Sequence, residues 1–359
     1  MIRTELTRRL GCGAPIVQTA MGWVSDAGLV IASTRAGAFG FLAGATIEPD
    51  DLEPQIEQVK AVVGSNFGLN FHMFQENAED CIRLAIEHGL RAVSYGRGPD
   101  AKTITRLKDA GVLCIPTVGA VEHAIKAEKL GADLITIQGS EGGGHTGRVP
   151  SSILLPQVLD AVKVPVIAAG GYSTGRGLAA ALAAGACGIA MGTRFMMSAE
   201  SPTPKRTMAR YLEVKDPGQI RVTEAVDGLR HRMIETDLVR RLEASSGLRR
   251  LMVALGNAWR WKAQTGMSAH HLARVLIKSF REDPTALATT IMAANQPMLI
   301  QKSMIEDRPE EGLLPSGQVA AAIRSQDTCE EIVNGLVQEA EACLRSVSHH
   351  LSEPASHAT

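Results

Sequence analysis

Eight short apolar runs, each followed by an amphipathic stretch, govern what this chain can fold into. The runs are Pro15–Ala20, Ala38–Leu42, Phe67–Phe71, Arg91–Tyr95, Val112–Thr117, Asp133–Ile137, Pro165–Ala168 and Cys187–Met191. Between them lie segments of helical periodicity such as Asp51–Val63, Ala78–His88, Ala101–Ala110 and Val121–Leu130. Several close on a glycine (Gly89, Gly111, Gly131) that suits a helix C-cap. The runs are continuous rather than alternating, as parallel strands buried on both faces are. A repeat of roughly 20 to 30 residues leaves room for one crossover helix per strand. Eight such units predict an α/β fold, a closed (β/α)8 TIM barrel complete by about residue 200. An open doubly wound sheet has the same local pattern and is the alternative. The expected organisation is a barrel over 1–200 and a helical, substrate-covering region over 201–310. A segment over 311–348 then returns to the barrel, before a disordered tail over 349–359.

Bulk composition narrows the class. The 359 residues carry 37 Lys and Arg against 38 Asp and Glu, a net charge of −1, which speaks against nucleic acid or an anionic membrane as partner. No apolar stretch approaches the roughly 18 to 20 residues of a membrane span. The Met1–Glu5 start lacks the apolar core of a signal peptide. The six cysteines (Cys12, Cys81, Cys114, Cys187, Cys329, Cys343) are scattered, with no CxxC pair. That argues against a metal site or a disulfide framework and fits the cytoplasm.

Barrel sites are built at the C-terminal ends of the strands, with phosphate commonly held after strands 7 and 8. Strand 7 runs into Gly170-Gly171 and strand 8 into Gly192-Thr193-Arg194, turns that offer backbone N–H groups ahead of a helix. Strand 1 leads to Gln18, Met21 and Gly22, strand 3 to Asn70 and strand 5 to Thr117. Asn70 sits in an apolar stretch, where its amide needs partners that a heterocycle edge or the backbone would supply. Strand 6 opens into Gln138-Gly139-Ser140-Glu141-Gly142-Gly143-Gly144-His145-Thr146-Gly147, a loop nearly bare of side chains. A single imidazole there is the candidate acid, base or hydrogen-bond donor toward a ligand. Glu141 is the candidate to set its tautomer, a solvated charge being the alternative.

These segments resemble the FMN-dependent barrel oxidoreductases of the nitronate monooxygenase (2-nitropropane dioxygenase) family. The resemblance runs through PIVQTAMGW at 15–23, GLNF at 68–71, QGSEGGGHTG at 138–147, PVIAAGGYSTGRGLAAAL at 165–182 and GIAMGTRF at 188–195. It resumes in LLPSGQVAAAI at 313–323. It implies an FMN cofactor whose phosphate is held by Gly170, Gly171, Gly192 and Thr193. Met21 and Gly22 would lie against the isoalloxazine, Asn70 and Gln138 would bond its edge or ribityl chain, and Gly143 would complete the cofactor set. His145 is implied as the acid/base or substrate binder over the flavin. Thr117, where some members carry lysine, and Gln138, where some carry aspartate, depart from the family pattern and bear on substrate choice. A closer likeness, in EGGGHTG, AVDGLRHR at 225–232 and MAANQPM at 292–298, is to a branch from actinobacterial steroid catabolism. That branch implies a CoA thioester as substrate.

The expected activity is therefore FMN-dependent oxidation of a small molecule, either a nitronate or, alternatively, an acyl-CoA or cyclic enone. A non-redox phosphate-binding barrel is the rival from another class, and a homo-oligomer is compatible with all three. Basic residues gather after the barrel, at Arg230, Arg232, Arg240, Arg241, Arg249, Arg250, Arg260 and Lys262. They form either a solvated helical face or a rim that holds the phosphates of a CoA-type substrate. Trp259 and Trp261 belong to the core or to a substrate mouth, and His270-His271 and His349-His350 to the surface.

Overall fold

A computed structural model describes residues 2–246 and 295–350 except 74, 76 and 97, together with 252, 254 and 256. Arg249, Arg250, Trp259, Arg260, Trp261, Lys262, His270, His271 and the tail from 351 lie outside the described residues. The chain divides into two compact units. One comprises Met1–Ser140, Arg148–Pro202 and Gln326–Thr359, the other Glu141–Gly147 and Thr203–Ser325. The division differs from the sequence expectation at two places. Seven residues of the glycine loop belong with the second unit, and the chain rejoins the first at Gln326 rather than at 311.

The first unit is a closed eight-stranded parallel barrel. Its strands are Ile16–Gln18, Phe39–Leu42, Gly68–His72, Ala92–Gly96, Leu113–Val118, Ile135–Gln138, Val166–Ala169 and Gly188–Met191. Each falls within or beside one of the eight apolar runs. Closure is made by the first and last strands, with Ile16 opposite Ile189 and Gln18 opposite Met191. That pairing decides for the barrel over the open sheet.

The strand starts are plugged by the helix Glu5–Leu10. Thr4 caps it, and the same hydroxyl donates to the Cys187 carbonyl at 2.6 Å, just before the last strand. Leu6 and Leu10 are fully buried with Val17, Phe39, Ile115, Leu134 and Ile167. Burying each is worth about 2 kcal/mol. A second apolar layer, with Leu69, Phe71, Val93, Ile56, Ile82 and Leu107, joins the strands to the helices Pro49–Val63, Ala78–Glu87 and Ala101–Asp109. The C-terminal helix Cys329–Ser348 also belongs to this unit. It packs on the helix Gly175–Ala183, and His349 is its C-cap. No described helix is long and apolar enough to cross a membrane.

The second unit contains the helices Lys205–Leu212, Asp237–Ala244 and Asn295–Met304. It also carries a small antiparallel sheet that the helical reading did not anticipate. In it, Ile220–Thr223 pairs with His231–Ile234, which pairs in turn with the two-residue strand Gly144–His145. Tyr211 is fully buried, its hydroxyl donating to the Pro315 carbonyl at 2.8 Å.

Candidate active site

At the C-terminal end of the barrel, the strand-6 and strand-7 turns meet backbone to backbone. Gly170 has φ +103°, and a Cβ placed on it would lie 3.1 Å from both N and O of Gly139. Gly171 follows with φ +80°. Glycine is required here twice over, by backbone conformation and by the close approach. A Cβ on Gly192 would lie 3.1 Å from Thr19 Oγ1 and 3.4 Å from Met21 Sδ, and one on Gly22 2.9 Å from Thr46 Cγ2. These turns are thus held free of side chains at three strand ends, a cradle of the kind a phosphate needs.

One part of the phosphate reading changes. The helix after strand 7 does not offer its N-terminus, because the Gly175 N–H donates to Glu339 Oε2 at 2.7 Å and Thr174 accepts from Gly177. A carboxylate from the C-terminal helix already satisfies that positive end. Arg194, after strand 8, is buried and engages Asp327.

The remaining barrel candidates divide. The Asn70 amide donates to Ser94 O and Oγ, both at 3.0 Å, so backbone and hydroxyl use its donor half and the carbonyl oxygen is what it can offer a ligand. Gln18 is fully buried, donating to Thr19 O at 2.6 Å and Ser25 Oγ at 2.9 Å and accepting from Ser33 at 3.2 Å. It is a latch within the barrel. Gln138 ends its strand half-buried. Trp23 holds φ +61°, its N–H donating to Thr46 Oγ1 at 3.1 Å. A tryptophan there costs about 1 kcal/mol and is sustained by its surroundings.

In the second unit, the glycine loop is more ordered than its composition suggests. Gly143 lies against the main chain of Ser316 and Gly317, where a Cβ would come within 2.6 Å. Gly144 takes φ +69° and pairs with Arg232, which turns His145 onto the sheet opposite His231. The His145 side chain is 43% exposed, while Asp227, whose side chain is 3% exposed, approaches its Nε2 at 2.7 Å through Oδ2. Asp227 Oδ1 accepts the Leu229 N–H at 2.9 Å. The His231 ring stacks on that of His145, centroids 4.1 Å apart and planes inclined by 20°.

Asp227, rather than the nearby Glu141, is the carboxylate that the structure places at hydrogen-bond distance from the His145 ring at 2.7 Å. The main chain of Glu141 accepts from Gln318 at 3.0 Å, and its carboxylate acts on the buried Arg232. Burial alone would raise the Asp227 carboxyl, but the hydrogen bond and charge of His145 hold it below its ordinary range. His231 is fully buried, and neither of its ring nitrogens has a hydrogen-bond partner among the described residues. Burial, reinforced by the His145 charge, pushes it down to about 3, so it is neutral at physiological pH. His145, Asp227 and His231 bring one ligand atom each within 4.8 Å. Two imidazoles stacked face to face nevertheless aim their lone pairs side by side rather than at one ion.

Of the basic cluster, Arg240 pairs with Glu235 and Asp237, and Arg241 donates to the Asp237 carbonyl. Arg230 Nε is buried without a hydrogen-bond partner among the described residues. Its carbonyl accepts from Thr146 at 3.1 Å, beside His145.

Residues 3–339 match the profile described as nitronate monooxygenase. A Mycobacterium tuberculosis protein, (3aS,4S,5R,7aS)-5-hydroxy-7a-methyl-1-oxo-octahydro-1H-indene-4-carboxyl-CoA dehydrogenase, is 42% identical over 350 residues, 97% of this chain and 98% of that one. Its namesake from Rhodococcus jostii is 42% identical over 339 residues, covering 94% and 96%. Among solved structures, FabK from Thermotoga maritima superposes with a TM-score of 0.80 at 26% identity, covering 98% of this chain and all of that one.

Proposed function

Since the chain belongs to the nitronate monooxygenase family and is an FMN-dependent oxidoreductase, we propose that it dehydrogenates a hydroxylated, ring-bearing CoA thioester. The observation that carries this reading is the 42% identity, over nearly the full length of both chains, to two dehydrogenases named for such a thioester. The side-chain-free turns support a place for the FMN phosphate at Gly170, Gly171, Gly192 and Thr193. Met21 and Gly22 are the residues to lie against its ring. The Asn70 carbonyl oxygen and Gln138 are its polar contacts, and Gly143 completes the set.

Bound FMN supplies a two-electron acceptor for the hydride that leaves the substrate. His145 takes the proton that leaves with it, and the Asp227 carboxylate stabilises the resulting imidazolium. Arg230, with its guanidinium partly buried, favours an anionic group of the substrate, as the phosphates of CoA provide. Six scattered thiols and such a substrate support the cytoplasm as the place of work.

The test is product analysis. The FMN-loaded enzyme is incubated with a ring-bearing 3-hydroxyacyl-CoA and an artificial electron acceptor. A thioester product lighter by two hydrogens supports the proposal. Nitrite release from an alkyl nitronate, with no change in any acyl-CoA offered, would assign the other activity of the family instead.

A further inference from the structure

Asp227 faces two donors whose identities are fixed differently. The Leu229 N–H is a backbone donor with no alternative, so the oxygen it meets, Oδ1, must accept. Oδ2 meets His145 Nε2 at 2.7 Å, and a carboxylate held below its ordinary range can only accept there too. A neutral imidazole that donates through Nε2 carries its lone pair on Nδ1. His231 covers one face of the same ring at 4.1 Å. Because His231 is buried and neutral, it holds the ring's plane without placing a second positive charge beside it. Asp227 and His231 come from opposite ends of one short stretch, 227–231, so a single turn supplies both restraints.

We propose that Asp227 is a positioning residue that fixes His145 as the Nε2–H tautomer, so that the proton exchanged with substrate is carried on Nδ1. The step balances within the proposed dehydrogenation. The substrate bond to hydrogen breaks, its proton forms the Nδ1–H bond, and the imidazolium later returns that proton to solvent. The inference rests on the acid–base role proposed for His145, but the tautomer can be read without any substrate.

The experiment is long-range 1H–15N correlation on FMN-loaded protein labelled with 15N-histidine, at a pH well above the imidazole range, in wild type and Asp227→Asn. The Leu229 N–H keeps the amide oxygen of the variant, which leaves its NH2 facing His145. Nε2 must then accept, and the proton moves to Nδ1. The expected result is an Nε2–H ring in the wild type and an Nδ1–H ring in the variant. Flavin reduction by the acyl-CoA or propyl-2-nitronate should slow on the order of 10²- to 10⁴-fold, with KM little changed. Asp227→Asn combined with His145→Ala should be no slower than His145→Ala alone. An Nδ1–H ring in the wild type, or an unchanged tautomer in a folded Asp227→Asn protein, would overturn the inference. If neither compound reduces the wild-type flavin, the functional reading fails, while the tautomer still decides the role of Asp227.

Discussion

Gly170 and Gly139 meet backbone to backbone, so that a single methyl group on Gly170 would sit 3.1 Å from both N and O of Gly139. Neither main chain can yield without moving the end of a barrel strand. Gly170→Ala also forces an alanine into φ +103°. The combined strain of about 1–3 kcal/mol should weaken FMN affinity by roughly 5- to 150-fold. Gly89→Ala is the control, since Gly89 also has positive φ but nothing lies within 4 Å of its would-be Cβ. Flavin fluorescence in the filtrate after ultrafiltration measures the difference. Equal retention of FMN by both variants would remove Gly170 from the cofactor site.

His231 gives the protein a pH-dependent stability of known sign. Its folded value lies far below that of an exposed imidazole, so between pH about 6.5 and about 3 the unfolded chain binds the extra proton. The stabilisation is complete above that window and is lost as pH falls through it. This one group should remove about 2 kcal/mol between pH 7 and pH 5. His231→Phe keeps a flat ring against His145 and abolishes the titration. Urea unfolding at the two pH values should show a drop smaller by that amount in the variant, and an identical drop would show that His231 is not buried neutral.

The N-terminal helix is held to the barrel by Leu6 and Leu10, both with no exposed surface. Leu10→Ala empties a site walled by strands that cannot collapse inward. It should cost about 3 kcal/mol, read as a lowered urea midpoint at unchanged slope. A loss under about 1 kcal/mol would mean that the helix is not part of the core.

Much of the barrel was legible because its strands are local objects. Ile135–Gln138 and Val166–Ala169 are continuous apolar runs bounded by turns, and no distant residue is needed to recognise them. Closure follows in the sequence only from the count of eight units, since the contact that makes it, Ile16 opposite Ile189, joins residues at the two ends of the barrel. The small sheet of the second unit was missed for a different reason. Its strands, IRVT and HRMI, are short and basic, and they lack the apolar continuity that marked the others. His145 stands out in the sequence as the lone imidazole of its loop, but the groups that face it do not. Asp227 lies 82 residues away and comes into reach only through the Gly144–Arg232 pairing. Glu141 is near in sequence, but its main chain is engaged by Gln318 and its carboxylate acts on Arg232.

The central claim is that an FMN oxidoreductase takes electrons from a CoA thioester with His145 receiving the proton. It is tested by anaerobic rapid mixing of FMN-loaded wild type and His145→Ala with a ring-bearing 3-hydroxyacyl-CoA. Wild-type flavin should lose its visible absorbance in a single phase. The variant should retain its FMN and bleach on the order of 10²-fold or more slowly. Equal rates in the two proteins, or bleaching of wild type by an alkyl nitronate alone, would contradict the account.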